Sequence, residues 1–273
     1  MKKWLQVIGW TLLTMVIYYF IEVAIHAAFR QPIETADSNE RYSQYILFAN
    51  TTLKAVTLLI FGSWYKLREE KKNIQPDYRG ALKLKIFLCL AGIGFFGQYA
   101  AGFFLTLLRV AIPSIFEDYE KIMQAVGLGN GSPYLMAFLV GILGPIAEEF
   151  LFRGVIYGKL RDVFTVTQAA VISGAIFGIY HKNIVQGIYA ALFGILLAYI
   201  FEKTRTIWGA IVMHMIFNLS SYFVLWIERV LQQHEIFLSS LSYLLLDIVS
   251  IILVICSLLS LSRRPNRYDN SVQ

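Results

Sequence analysis

Gly144–Gly158 reads GPIAEEFLFRGVIYG. It sets two adjacent carboxylates, Glu148 and Glu149, and a guanidinium, Arg153, inside a run apolar enough to lie in a lipid bilayer. On insertion scales a charge at bilayer depth costs about 2.5–3.5 kcal/mol, so such a group of charges needs partners or water in a protein interior. The stretch therefore marks a membrane-spanning segment and a functional-site hypothesis together.

The composition extends this reading to the whole chain. Of 273 residues 57% are hydrophobic and 15% are charged, against about 25% charged in a soluble domain. Windows near twenty apolar residues give eight expected spans, at about 4–29, 46–65, 86–112, 133–158, 166–181, 184–201, 206–227 and 239–261. The fold class is thus all-α, a polytopic helical bundle. The fifth and sixth spans are short for a bilayer of about 30 Å, so they tilt or meet below the surface. Met1–Trp10 has the basic start of a signal peptide, but the apolar run continues to Phe29, which is too long for one. A retained first span is expected. Cys89 and Cys256 sit in apolar runs without metal or redox spacing, which argues against a disulfide framework.

The net charge of +6 is a matter of location, not of nucleic-acid binding. Alternate connections divide the 24 Lys and Arg into 16 on one side and 5 on the other, with Lys54, Arg109 and Arg153 inside spans. That bias puts both termini in the cytoplasm of a multi-pass cell-membrane protein, in agreement with an even number of spans. Ser114–Val126 has the one-sided apolar pattern of a helix lying in the outer interface. The basic loop Lys66–Lys85 is expected to hold the anionic cytoplasmic leaflet. Gly127–Pro133 reads as a turn, with Ser132 as N-cap and Pro133 opening the fourth helix.

Three polar stripes carry the chemistry. On a helix Glu149 and Arg153 share a face and form an ion pair. Glu148 is then about one hundred degrees away, without Arg153, desolvated and able to accept a proton. In the fifth span Gly174, Gly178 and His181 lie at i, i+4 and i+7; small residues let helices approach closely, so the tightest face also presents an imidazole. In the seventh, His214, Asn218 and Ser221 repeat that spacing. Such a stripe must face protein or a water-filled cavity, because lipid offers it no partner. Elsewhere, Glu22 and His26 are one turn apart and are expected to pair, and Lys54 is expected to snorkel.

Two chemistries can use this set. In one, Glu148 and His181 polarise a water for attack on a peptide carbonyl while His214 and Asn218 donate to the oxyanion. In the other, His181, His214 and a glutamate such as Glu148 hold a Zn2+ ion whose bound water attacks, and the other glutamate is the base. The zinc-protease signature HExxH is absent from the chain. A non-catalytic immunity or scaffold protein and an ion-coupled transporter are the competing classes. Intact motifs argue against the first, and the lack of an internal repeat against the second.

EEFLFR at 148–153, FGIYH at 177–181 and HMIFN at 214–218 fit EExxxR, FxxxH and HxxxN in that order. In these motifs the chain resembles the CPBP family, the CAAX proteases and bacteriocin-processing enzymes also called the Abi family of intramembrane metalloproteases. The resemblance covers about 134–221. It implies an eight-helix endopeptidase acting on a membrane-associated peptide or protein, with catalytic residues Glu148, Glu149, His181, His214 and Asn218 and with Arg153 in support. It also implies water activation by Glu148, with Zn2+ as the metal to be tested. Compact loops and the lack of an organelle signal favour the bacterial branch, where roles include peptide maturation, bacteriocin self-immunity and regulatory proteolysis. Three divisions are expected: 1–132, with helices 1–3, the basic loop and the interfacial helix; 133–228, the catalytic core of helices 4–7; and 229–273, the last helix and cytoplasmic tail.

Overall fold

The computed structural model describes residues 3–73, 83–117, 133–234 and 240–264. Among them there is no strand, and eight helices have fifteen residues or more: α1 (Lys3–Glu34), α2 (Asn39–Lys71), α3 (Leu84–Ala111), α4 (Tyr134–Leu160), α5 (Val166–Tyr180), α6 (Ile184–Thr204), α7 (Ile207–Gln233) and α8 (Ser240–Ser262); residues 113–117 are also helical. Seven are long and apolar enough to cross a membrane. The exception is α5, whose 15 residues reach only about 22 Å at 1.5 Å per residue. The short fifth span expected from the sequence is thus a short helix. The 118–126 part of the interfacial helix, the middle of the 66–85 loop and the 127–132 part of the turn lie outside the described residues.

The chain divides into two compact units, one of Met1–Gln75 with Glu117–Tyr199 and one of Pro76–Phe116 with Ile200–Gln273. In the first, α4 is wound irregularly. Leu139–Leu143 and Phe150–Tyr157 are π-helical, on either side of the α-helical Gly144–Glu149. Pro145 supplies the cause of the first: it has no N–H to give the carbonyl four residues back. The ladder slips there to a five-residue spacing, and Gly144 N–H donates to Leu139 O. At the far end Gly158 N–H likewise donates to Arg153 O. Between these points Leu151, Phe152, Ile156 and Tyr157 are fully buried, as is Leu160 just beyond, so α4 is the core of its unit.

The start of α5 is fixed by its sequence. Thr165 Oγ1 accepts from Gln168 N (3.3 Å) and Gln168 Oε1 accepts from Thr165 N (3.2 Å), a reciprocal cap. Its end is fixed by Lys182, which takes a left-handed φ of 56°. Asn183 Oδ1 then accepts from Gln186 N (3.0 Å) and opens α6. The two helices touch along a glycine seam. A Cβ on Gly174 would lie 2.7 Å from Ala191 O, and one on Gly194 would lie 2.9 Å from Gly174 Cα. The close approach read from Gly174 and Gly178 is therefore real, and α6 is the partner.

In the second unit α3 packs against α7 and α8. A Cβ on Gly94 would lie 2.9 Å from both Met213 O and Ile216 Cγ2, so glycine again permits backbone contact. Lys203 Nζ donates to Ser262 O (3.2 Å) and Arg264 O (2.8 Å), closing the carbonyl end of α8.

Candidate active site

Glu149 and Arg153 are 0% exposed, and Arg153 Nη1 donates to Glu149 Oε1 at 2.9 Å. The pair expected from the four-residue spacing forms, although the helix loosens to π winding at Phe150. Arg153 is held twice more, by donation from Nη2 to Gly194 O (3.0 Å) and by packing over the Phe177 ring (4.7 Å). Its guanidinium thus ties α4 to α5 and α6. A charged pair sealed this completely needs such extra hydrogen bonds to offset its desolvation.

Glu148 faces differently. Its side chain is 13% exposed, and Oε1 accepts from Lys54 Nζ at 2.7 Å. The sequence supplies Glu148 with no cation, since Arg153 belongs to Glu149. That expectation is corrected by Lys54, 94 residues earlier on α2, which spacing along α4 cannot reveal. Lys54 does not snorkel; it is 15% exposed and also donates to Tyr180 Oη at 2.7 Å. Tyr180 in turn approaches Glu148 Oε1 (3.5 Å) and receives a hydrogen bond from Tyr18 Oη (3.1 Å).

His181 follows Tyr180 directly. Its Nδ1 is 2.8 Å from Phe177 O, and its ring stands edge-on to Phe177 (4.7 Å) and Tyr180 (5.3 Å between centroids). Tyr180 is therefore the link between the first motif and the second: its hydroxyl meets Glu148 and its ring meets His181. The signal that could have found Lys54 was the rarity of any cation within a span, which makes an intramembrane anion its expected partner. Glu22, expected to pair with His26, instead meets Lys182 Nζ at 2.6 Å.

In the second unit His214 is buried (3% exposed) on α7, with Asn218 half-buried one turn later. Ser221, the third member of that stripe, donates to Asn218 O (2.6 Å), and Ser220 to Ile216 O (2.6 Å). Both hydroxyls thus serve their own helix. Among the described residues no group of three or more His, Cys, Asp or Glu is gathered to hold a metal ion.

Residues 130–220 match a family model described as type II CAAX prenyl endopeptidase Rce1-like. A Bacillus subtilis (strain 168) protein named "Putative membrane peptidase YdiL" is 31% identical over 150 residues, which are 54% of this chain and 59% of that relative. The chain thus spans about three fifths of the length of the curated relative it matches. No solved structure matches it.

Proposed function

We propose that this chain, whose residues 130–220 match the type II CAAX prenyl endopeptidase Rce1-like model, is an intramembrane endopeptidase of the CPBP family cutting a peptide bond of a membrane-associated protein or peptide. The observation that carries this reading is the division between two neighbouring glutamates. Glu149 is sealed and charge-paired at 0% exposure, while Glu148 keeps a partly open carboxylate in the network that reaches His181. One glutamate serves the fold; the other is available to chemistry.

Glu148, with His181 beside its network, takes a proton from a water that attacks the scissile carbonyl. The carbonyl π electrons move onto oxygen, and the order of the sequence motifs makes His214 and Asn218 the donors assigned to the oxyanion in this reading. Collapse of this intermediate expels the amine, which leaves with the proton that Glu148 held. Burial helps by keeping competing water away from the donors. In a cell-membrane protein with both termini in the cytoplasm, this activity suits peptide maturation, bacteriocin self-immunity or regulatory proteolysis.

The experiment compares membrane proteomes of cells expressing the wild type and Glu148→Ala at equal levels. Peptide termini near membrane-spanning segments that appear only with the wild type are the expected result. Identical profiles overturn the protease reading. Once such a peptide is in hand, Asn218→Ala is expected to raise the activation barrier by about 2.7–4 kcal/mol. Unchanged turnover reassigns Asn218 to structure.

A further inference from the structure

We propose that Lys54 is a positioning residue that sets the orientation of the Glu148 carboxylate; this rests on the reading of Glu148 as the base. Lys54 is on α2, outside all three motifs, yet its ammonium is aimed inward. It is 15% exposed and spends two donors on Glu148 Oε1 and Tyr180 Oη, each at 2.7 Å. A hydroxyl has one proton and two lone pairs. The Tyr180 oxygen receives Lys54 and, at 3.1 Å, Tyr18. Its own proton is thereby directed to Glu148 Oε1, 3.5 Å away.

Oε1 is thus held on one side by two donors carried on α2 and α5. The terminal torsion of a glutamate is broad and roughly two-fold, so by itself it sets no single direction. Fixing Oε1 fixes where the second oxygen points, and that is the oxygen that would take the proton from water. Tyr18 on α1 steadies the arrangement further through ring packing on Tyr180 at 5.2 Å between centroids. Lys54 touches neither the scissile bond nor the water in this scheme; it acts through Glu148.

The test uses purified full-length protein in detergent and a peptide spanning a terminus found in the proteome comparison. Lys54→Met should lower kcat about a hundredfold, the usual scale for a catalytic group shifted by about an ångström, with KM unchanged and with the wild-type elution profile. Tyr180→Phe, which keeps both charges, should lower kcat about tenfold, the size of one hydrogen bond. A folded Lys54→Met with wild-type kcat, or one in which only KM rises, overturns the positioning role while an inactive Glu148→Ala leaves the protease reading standing. If Lys54→Met does not fold, Tyr180→Phe decides: a fall in kcat alone supports the proposal, and an unchanged kcat overturns it. If no Glu148-dependent cleavage exists, the proposal falls with the reading beneath it.

Discussion

Glu148 and Glu149 are neighbours in sequence, and each has a cation, but the two pairs are built in different ways. The Glu149–Arg153 pair is made within one turn of α4, wholly buried, and braced by a carbonyl and a ring. The Glu148–Lys54 pair joins α4 to α2 across 94 positions and keeps some exposure on both sides. A sealed pair cannot exchange a proton with anything that enters, whereas a partly open one can. Two directions on one helix, about a hundred degrees apart, therefore separate a sealed charge pair from a partly open one.

The largest expected effect breaks the sealed half. Arg153→Ala leaves Glu149 charged in a closed interior, and removing one partner of a buried pair costs about 3–5 kcal/mol. Folded yield and melting temperature in detergent should both drop sharply. Normal yield and melting would mean that Glu149 finds water or another cation. A smaller effect reaches the same pair from α6. Gly194→Ala would press a Cβ onto Gly174 Cα, 2.9 Å away, and push aside the carbonyl that Arg153 grips. Overpacking of this kind costs about 1–3 kcal/mol, and the thermal melt should register it; an unaltered melt would mean that the α5–α6 seam yields freely. The smallest effect sharpens the contrast with an ion pair at the surface. Lys182 is 59% exposed in its contact with Glu22. Lys182→Ala should shift stability by no more than about 1 kcal/mol, with cleavage unaffected, and a large loss would move this pair into the same class as the two on α4.

What could be read in advance follows the same division. The helices and the Glu149–Arg153 pair depend on local spacing, and the sequence displays local spacing directly. Gly174 and Gly178 announced a tight helical face, since small residues at that interval have little other use in a span. Lys54, Tyr180 and Tyr18 were not legible as a group, because their meeting depends on how α1, α2, α4 and α5 are arranged. Glu22 illustrates the same limit: His26 is its neighbour along α1, but the turn after α5 delivers Lys182 instead. Ser221 fits a polar stripe by spacing, yet its hydroxyl turns back to the carbonyl of Asn218.

The π winding of α4 has a consequence for how its motif could have arisen and how it could be lost. A π turn holds one residue more than the α turn it replaces, so it behaves as a tolerated insertion in a helix. Deleting one residue from the 150–157 run should let the backbone return to ordinary α winding. Residues after Tyr157 then keep their facing, while Arg153, if the cut precedes it, moves from the fourth to the third position after Glu149. The helix thus stores a phase offset, and the reading frame of its two faces depends on a single residue.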